Sequence, residues 1–243
     1  MNLTLDIGNT AIKWATFDGH TIVDSGQWAA SSEQQAVGSG QQDIAQALIC
    51  ASGDLAKVQP LLDSFNFQFS IFNSSMPLPI RLDYKTPSTL GADRIADACG
   101  AAALHPGEPC LIIDAGTCIT VDFIDANGVY HGGAIMPGLG MSLQALHTYT
   151  AKLPLIDLAN VTKAPVLGRS TEESILAGTL GATLLALAGY VALYKGKAPG
   201  LRVLLTGGDA GQLTASGTVA WEHVPHLTLI GLNEILMHGE GIK

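Results

Sequence analysis

Leu3-Thr4-Leu5-Asp6-Ile7-Gly8-Asn9-Thr10-Ala11-Ile12-Lys13 is the stretch that decides the architecture. Leu3, Leu5 and Ile7 alternate with Thr4 and Asp6, the period-two signature of a strand with one apolar face. Gly8-Asn9-Thr10 reads as a tight turn, and a second apolar run covers 12–17. The pattern returns as an apolar run over 110–113, the loop Asp114-Ala115-Gly116-Thr117, and a run over 119–124. Superposed without gaps, Asp6 lies over Asp114 and Gly8 over Gly116, an offset of 108 residues, and each hairpin then runs into an Asp and Gly turn. An offset near half the chain points to duplication of a whole domain. The boundary is expected near Pro106-Gly107-Glu108-Pro109, giving domains 1–108 and 109–243.

Between the hairpins the pattern predicts a helix over 41–49, another over 55–65, an extended stretch at 67–72 and a Pro-rich segment at 76–87. A helix over 92–104 opens at Gly91-Ala92-Asp93-Arg94, with Ile95, Ala98, Cys99 and Ala102 on one face. The second half reads as a glycine-rich turn at 132–140, a helix from Met141, a helix over 172–194 and a strand over 202–205. A third glycine turn, Thr206-Gly207-Gly208-Asp209, and a helix over 232–237 close the chain. Strands and helices in two related halves predict an α/β protein with helix-covered sheets. Residues 175–194 carry no charge and are long enough for a membrane span, but Gly, Ala and Thr dilute them and no basic cluster flanks them. They are expected to form a buried helix packed closely against a sheet.

Composition narrows the function classes. Among 243 residues 47% are apolar and 14% charged, enough to bury a core, and the 28 glycines follow no collagen period. The 12 basic and 21 acidic residues give a net charge of -9 with no Lys/Arg cluster, which argues against nucleic acid as partner. Cys50, Cys99, Cys110 and Cys118 stand at no metal-ligand spacing and read as buried thiols suited to a reducing cytoplasm. The first residues lack a positive region and carry Asp6, unlike a secretory signal. His223 and His226 flank Pro225 in an expected loop, and the seven histidines offer no i, i+4 ligand pair.

An Asp-x-Gly-x-Thr loop offers sterically open backbone N–H groups and a hydroxyl that can cradle a phosphate, and its carboxylate can hold Mg2+ beside that phosphate. Neither a Walker A loop nor a Rossmann fingerprint is present. On the residues alone, structural roles compete with chemical ones. Asp93 can cap its helix, Arg94 can pair with Asp97, Tyr84 can be a strand aromatic, Asp122 can serve the hairpin, and Thr171 can belong to a helix start with Glu172 and Glu173.

The ordered motifs resemble those of the type III pantothenate kinases, members of the acetate kinase, sugar kinase, Hsp70 and actin superfamily. The first phosphate motif is matched by Asp6-Ile7-Gly8-Asn9-Thr10-Ala11-Ile12-Lys13 and the pantothenate motif by Gly91-Ala92-Asp93-Arg94. Asp114-Ala115-Gly116-Thr117 matches the second phosphate motif and Thr206-Gly207-Gly208 the adenosine motif, and the 132–138 and 168–171 segments also read as in that family. The resemblance implies two duplicated actin-like (ribonuclease H-like) domains with an active-site cleft between them. It implies transfer of the ATP γ-phosphoryl group to pantothenate, the first step toward coenzyme A. Asp93 would be the base, with Arg94, Tyr84, Gly91, Ala92 and Thr171 at the substrate, Thr171 supplied across a homodimer interface. Asp6 would hold Mg2+ directly or through water, Lys13 would balance phosphate charge, and Thr117, Gly207 and Gly208 would meet ATP. Asp114 would hold a monovalent cation, K+ or NH4+. Other readings are a kinase of the same superfamily for another small metabolite, or a non-catalytic accessory transcriptional regulator. No membrane partner is expected, and the cytoplasm is the expected compartment.

Overall fold

The computed structural model describes residues 1–29, 44–52, 59–63, 67–73, 75–161, 163–216 and 219–240. They form two compact units, the first made of Met1–Gly107, Ala126–His131 and His226–Lys243, the second of Glu108–Asp125 and Gly132–Pro225.

The first unit is built on β1 (Asn2–Ile7), β2 (Ala11–Asp18), β3 (Thr21–Ala29), β4 (Gln46–Ala51) and β5 (Gln68–Ile71), in the order β3-β2-β1-β4-β5. β1–β2 and β2–β3 are antiparallel; β1–β4 and β4–β5 are parallel. Leu3, Leu5 and Ile7 enter a core with Ile12, Trp14, Ala47 and Ile49 on one sheet face. Two long helices, α2 (Ala92–Leu104) and α7 (Leu227–Glu240), pack on each other, and both lie against strands of this sheet.

The other sheet runs β11-β10-β7-β8-β9-β6, with β6 at Arg81–Leu82, β7 at Cys110–Ala115, β8 at Cys118–Ile124, β9 at Val129–Pro137, β10 at Arg202–Thr206 and β11 at Glu222–His223. Without the short β6 it repeats the first sheet strand for strand: the hairpin β7–β8 stands where β1–β2 does, and β10 and β11 run parallel to β7 as β4 and β5 do to β1. The duplication expected from the two hairpins is therefore present in the topology. Its core takes Leu111, Ile113, Ala115, Ile119, Val121, Val203 and Leu205 from one face of the sheet. The remaining helices are α1 (Gln59–Asp63), α3 (Leu139–Thr148), α4 (Thr171–Leu176), α5 (Ala182–Lys195) and α6 (Ala210–Ser216).

Several expectations are corrected. The helix expected over 41–49 is the strand β4 from Gln46; residues 41–43 lie outside the described ones. Ala47, Leu48, Ile49 and Cys50 are all buried, and a strand covered on both faces reads as a continuous apolar run that periodicity does not separate from a helix. Of the helix expected over 55–65 only α1 is described. The two hairpins do not superpose without a gap. Asp6 pairs with Lys13, but Asp114 pairs with Thr120, so the offset of 108 becomes 107 on the return strand because the second loop is one residue shorter. The 172–194 helix is α4 and α5 joined by a π-helical turn at Ala177–Gly181. Ile175, Leu180, Leu187 and Val191 turn inward while Leu185 and Leu193 are exposed, so it is not the closely covered core helix expected from an all-round apolar sequence. Cys118 is exposed at the mouth of its loop, whereas the other three thiols are buried. His223 lies in β11 and His226 immediately precedes α7, which begins five residues before the expected start.

Candidate functional site

In the first unit Asp6 ends the polar side of β1. It stands directly across from Lys13 on β2 and beside Cys50 on β4. Directly opposed residues project from the same sheet face, so carboxylate, amine and thiol share one side. The loop after Asp6 is closed by the Gly8 amide, which donates to the Ala11 carbonyl at 3.0 Å, leaving Asn9 and Thr10 exposed. Cys50 is buried and its thiol is pushed well above the usual range, first by burial, then by the charges of Asp6, Asp93 and Asp97. The fields of the β1 carboxylate and of the first two turns of α2 thus reach one point.

Gly91 is the N-cap of α2, and Asp93 in the first turn accepts a hydrogen bond from the Arg94 amide at 2.8 Å. The carboxylate folds back over Gly91, where a Cβ would stand 2.5 Å from Asp93 Oδ1. The glycine two residues before the aspartate is therefore a steric requirement of that side-chain position. Asp93 is therefore not the helix cap: its carboxylate takes the Arg94 amide inside the first turn and keeps capacity for a further donor. Arg94 is buried. Asp97 accepts from Thr228 Oγ1 of α7 at 2.8 Å, a buried bond to a charged group worth about 1.5–3 kcal/mol. Tyr84 lies half-buried against the fully buried Tyr130, their rings 6.0 Å apart. Lys13 is also felt by His226, whose pKa is lowered by burial and by that positive charge. His226 has φ 62° and its ring approaches Ser25 Oγ at 3.4 Å.

The second unit sets its loop differently. Asp114 is flanked in register by Thr120 on β8 and Thr206 on β10. Gly207, at φ 95°, brings bare backbone against Asp114; a Cβ there would collide with Asp114 Oδ1 and the Ala115 carbonyl. The Ala115 carbonyl accepts from the Asp209 amide at 2.8 Å. Asp209 itself is raised in pKa by burial, partly offset by its bond from the Leu139 backbone. On the other side the Thr117 carbonyl accepts from the Gly138 amide at 3.1 Å, and Gly138 is the N-cap of α3. The Gly116–Thr117 loop is therefore held at the positive end of a ten-residue helix, the arrangement that favours anions. Gly208 has open space where a Cβ would stand. Thr171, exposed, is the first residue of α4, whose N-cap Ser170 accepts from the Glu173 amide at 3.2 Å. It lines an open cavity of about 770 Å3 with Leu146, Leu153, Arg169 and Ile175.

Within the first unit, then, Asp6 stands across from Lys13, the charges of Asp6 and Asp93 both reach Cys50, and Tyr84 lies on its own aromatic partner. Asp114, Thr117, Gly207 and Gly208 are gathered in the second, and Thr171 stands on a separate helix start. Among the described residues no three His, Cys, Asp or Glu form a ready metal-ligand set. A divalent cation would rest on a carboxylate and on the phosphates it accompanies. Sequence reasoning missed Thr120, Gly138 as a support of the loop, and Thr228. The alternation Ile119, Thr120, Val121 against Ile12, Lys13, Trp14 carries the signal for the first, since only a one-residue gap keeps the apolar phase.

A family model described as type III pantothenate kinase matches residues 2–193. A type III pantothenate kinase of Bacteroides fragilis is 39% identical over 246 residues, covering 99% of this chain and 99% of its own length. One from Cytophaga hutchinsonii is 36% identical over 243 residues, covering 97% and 98%. Among solved structures, a protein described as a Baf family transcriptional activator from Campylobacter jejuni superposes with TM-score 0.63 at 17% identity, covering 98% and 99%. Component A of the (R)-2-hydroxyglutaryl-CoA dehydratase of Acidaminococcus fermentans superposes with TM-score 0.53 at 16% identity, covering 100% and 99%. These two likenesses concern the fold, which is that of the actin-like ATPases and sugar kinases.

Proposed function

The chain belongs to the type III pantothenate kinase family, and on that footing we propose that it transfers the γ-phosphoryl group of ATP to the primary hydroxyl of pantothenate, opening coenzyme A synthesis. The observation that carries this reading to the residues is the placement of Asp93, folded over Gly91 at the open start of α2 with buried Arg94 beside it. Such a carboxylate orients the attacking hydroxyl and accepts its proton late, because the transition state of phosphoryl transfer is loose and positioning does most of the work. Arg94 and Tyr84 hold pantothenate, with Gly91 and Ala92 shaping its contact. Residues 6–13, the β1–β2 loop with the strand ends that flank it, cradle phosphate through their amides, and Lys13 neutralises charge from the strand beside Asp6. Thr117 binds ATP at the α3 N-terminus, and the bare backbone of Gly207 and Gly208 meets the adenosine.

Asp6 fits Mg2+ as one carboxylate at the end of a strand beside a phosphate loop. Asp114 fits K+ or NH4+, since Gly207 leaves no side chain over its Oδ1. When bound, these cations supply the positive charge that a chain of net charge -9 provides only locally.

The active unit is a homodimer in this reading, with Thr171 given to the partner's substrate. Support comes from the apolar surface of the second unit, where Ile135, Tyr149, Leu155, Leu185 and Leu193 are all exposed. The same surface accounts for the long apolar helix without a bilayer, and the reaction belongs in the cytoplasm. ADP release that requires pantothenate, Mg2+ and K+ or NH4+ tests the proposal. Asp93→Asn is expected to abolish that release while nucleotide still binds; unchanged turnover would remove Asp93 from the reaction.

A further inference from the structure

The two hairpins differ at one position that the duplication makes directly comparable. Across from the β1 carboxylate Asp6 stands Lys13; across from the β7 carboxylate Asp114 stands Thr120. The first unit therefore carries its own covalently attached cation beside the carboxylate. The second puts a neutral hydroxyl there. Thr120 Oγ1 is withdrawn from solvent and makes no hydrogen bond, a state that costs about 1–3 kcal/mol unless a partner arrives. Thr120 and Asp114 project from the sheet face opposite the apolar core, and directly opposed Cβ atoms lie about 4.5–5.5 Å apart, so hydroxyl and carboxylate oxygens can meet one ion. On the flank of Asp114 away from Thr120, buried Thr206 occupies the matching place on β10, and Gly207 presents bare backbone where a Cβ would collide with Asp114 Oδ1.

We propose that Thr120 Oγ1 is a ligand, together with the Asp114 carboxylate, of the monovalent cation, and that this hydroxyl does for a diffusible cation what Lys13 makes unnecessary in the first hairpin. The proposal rests on the reading of Asp114 given above. One carboxylate with neutral oxygens balances a single positive charge, and hydroxyl oxygen is a hard donor of the kind alkali cations take. A cation in place would end the isolation of Oγ1.

The experiment is a thermal-melting titration with KCl, ionic strength held constant with choline chloride, in saturating Mg2+ and a non-hydrolysable ATP analogue. Wild type, Thr120→Val and Thr120→Ser are compared. Wild type is expected to gain stability with K+ in a saturable way. Thr120→Val is expected to need at least about tenfold more K+ for half the gain, and Thr120→Ser to titrate like wild type, because the loss tracks the oxygen. Without K+, Thr120→Val is expected to melt no lower than wild type, since it removes a buried hydroxyl that has no partner. A Thr120→Val protein that titrates like wild type overturns the proposal and leaves Asp114 as a cation ligand untouched. One that melts lower without K+, or fails to fold, assigns the hydroxyl a structural bond and also overturns it. A wild type that does not respond to K+ or to NH4+ overturns the reading of Asp114 and this proposal with it.

Discussion

Gly138→Ala and Gly140→Ala differ by two residues and are expected to act in opposite directions. Gly138 has φ -66° and ψ 168°, angles that alanine adopts freely, so only the new methyl matters. That methyl would collide with the carbonyl oxygens of Gly116 and Thr117 and stand 2.8 Å from the Thr117 carbonyl carbon. To restore ordinary 3.4 Å contacts to both carbonyl oxygens, the loop must retreat by about 1 Å. Overpacking of this kind costs about 1–3 kcal/mol, which for a chain of this size lowers Tm by roughly 2–12 °C. The larger effect falls on ATP, because a displacement near 1 Å in a positioning loop costs up to about 100-fold in kcat/KM. Gly140, exposed in the first turn of α3, has open space at its Cβ position. Alanine there is expected to raise stability by about 0.5–1 kcal/mol with ATP kinetics unchanged. Melting curves and kcat/KM for ATP on the two variants form the assay. Wild-type ATP kinetics in Gly138→Ala, or equal damage from both, would refute the assignment of Gly138 as the support of the Gly116–Thr117 loop.

His226 has a lowered pKa, so the folded chain binds fewer protons there than the unfolded chain as pH falls below about 6.5. Stability contributed by the neutral ring is whole at higher pH and is lost between that value and the lower folded pKa. His226→Asn, which keeps a residue tolerant of φ 62°, is expected to flatten the fall of Tm with acidification over that window; an unchanged slope would place the dependence elsewhere. Leu185, 68% exposed on α5, is expected to lie in the homodimer interface. Leu185→Glu should sediment as a monomer and lose pantothenate turnover while its nucleotide affinity persists, whereas a fully active monomer would contradict the role of Thr171 across the interface.

The hairpins were legible in the sequence because their strands have one apolar face, and alternation survives wherever the other face stays polar. Leu3, Leu5 and Ile7 are all buried, with Thr4 and Asp6 facing the other way, toward the side where the Asn2 amide meets Asn233 of α7. β4 was not legible, because Ala47, Leu48, Ile49 and Cys50 are all apolar and all buried, so no polar alternate residue marks a second face. The site motifs could be read as Asp and Gly turns, yet their chemistry came from the order of four motifs together. Gly91 shows why: its reason is the Asp93 carboxylate lying over it, a contact between side chain and backbone that composition does not reveal. Thr120 and Thr228 remained hidden for a related reason. One depends on strand register set by a single loop residue, and the other on a helix 131 positions away from its acceptor.

The most direct test of the central claim is a 31P NMR time course of the purified protein with ATP, Mg2+, K+ and pantothenate. The structure and its family predict that the ATP γ resonance is replaced, mole for mole with ADP, by a phosphomonoester on the primary hydroxyl of pantothenate, and that Asp93→Asn leaves the ATP intact. ATP consumed at the same rate without pantothenate, or no phosphomonoester while the nucleotide binds normally, would contradict it.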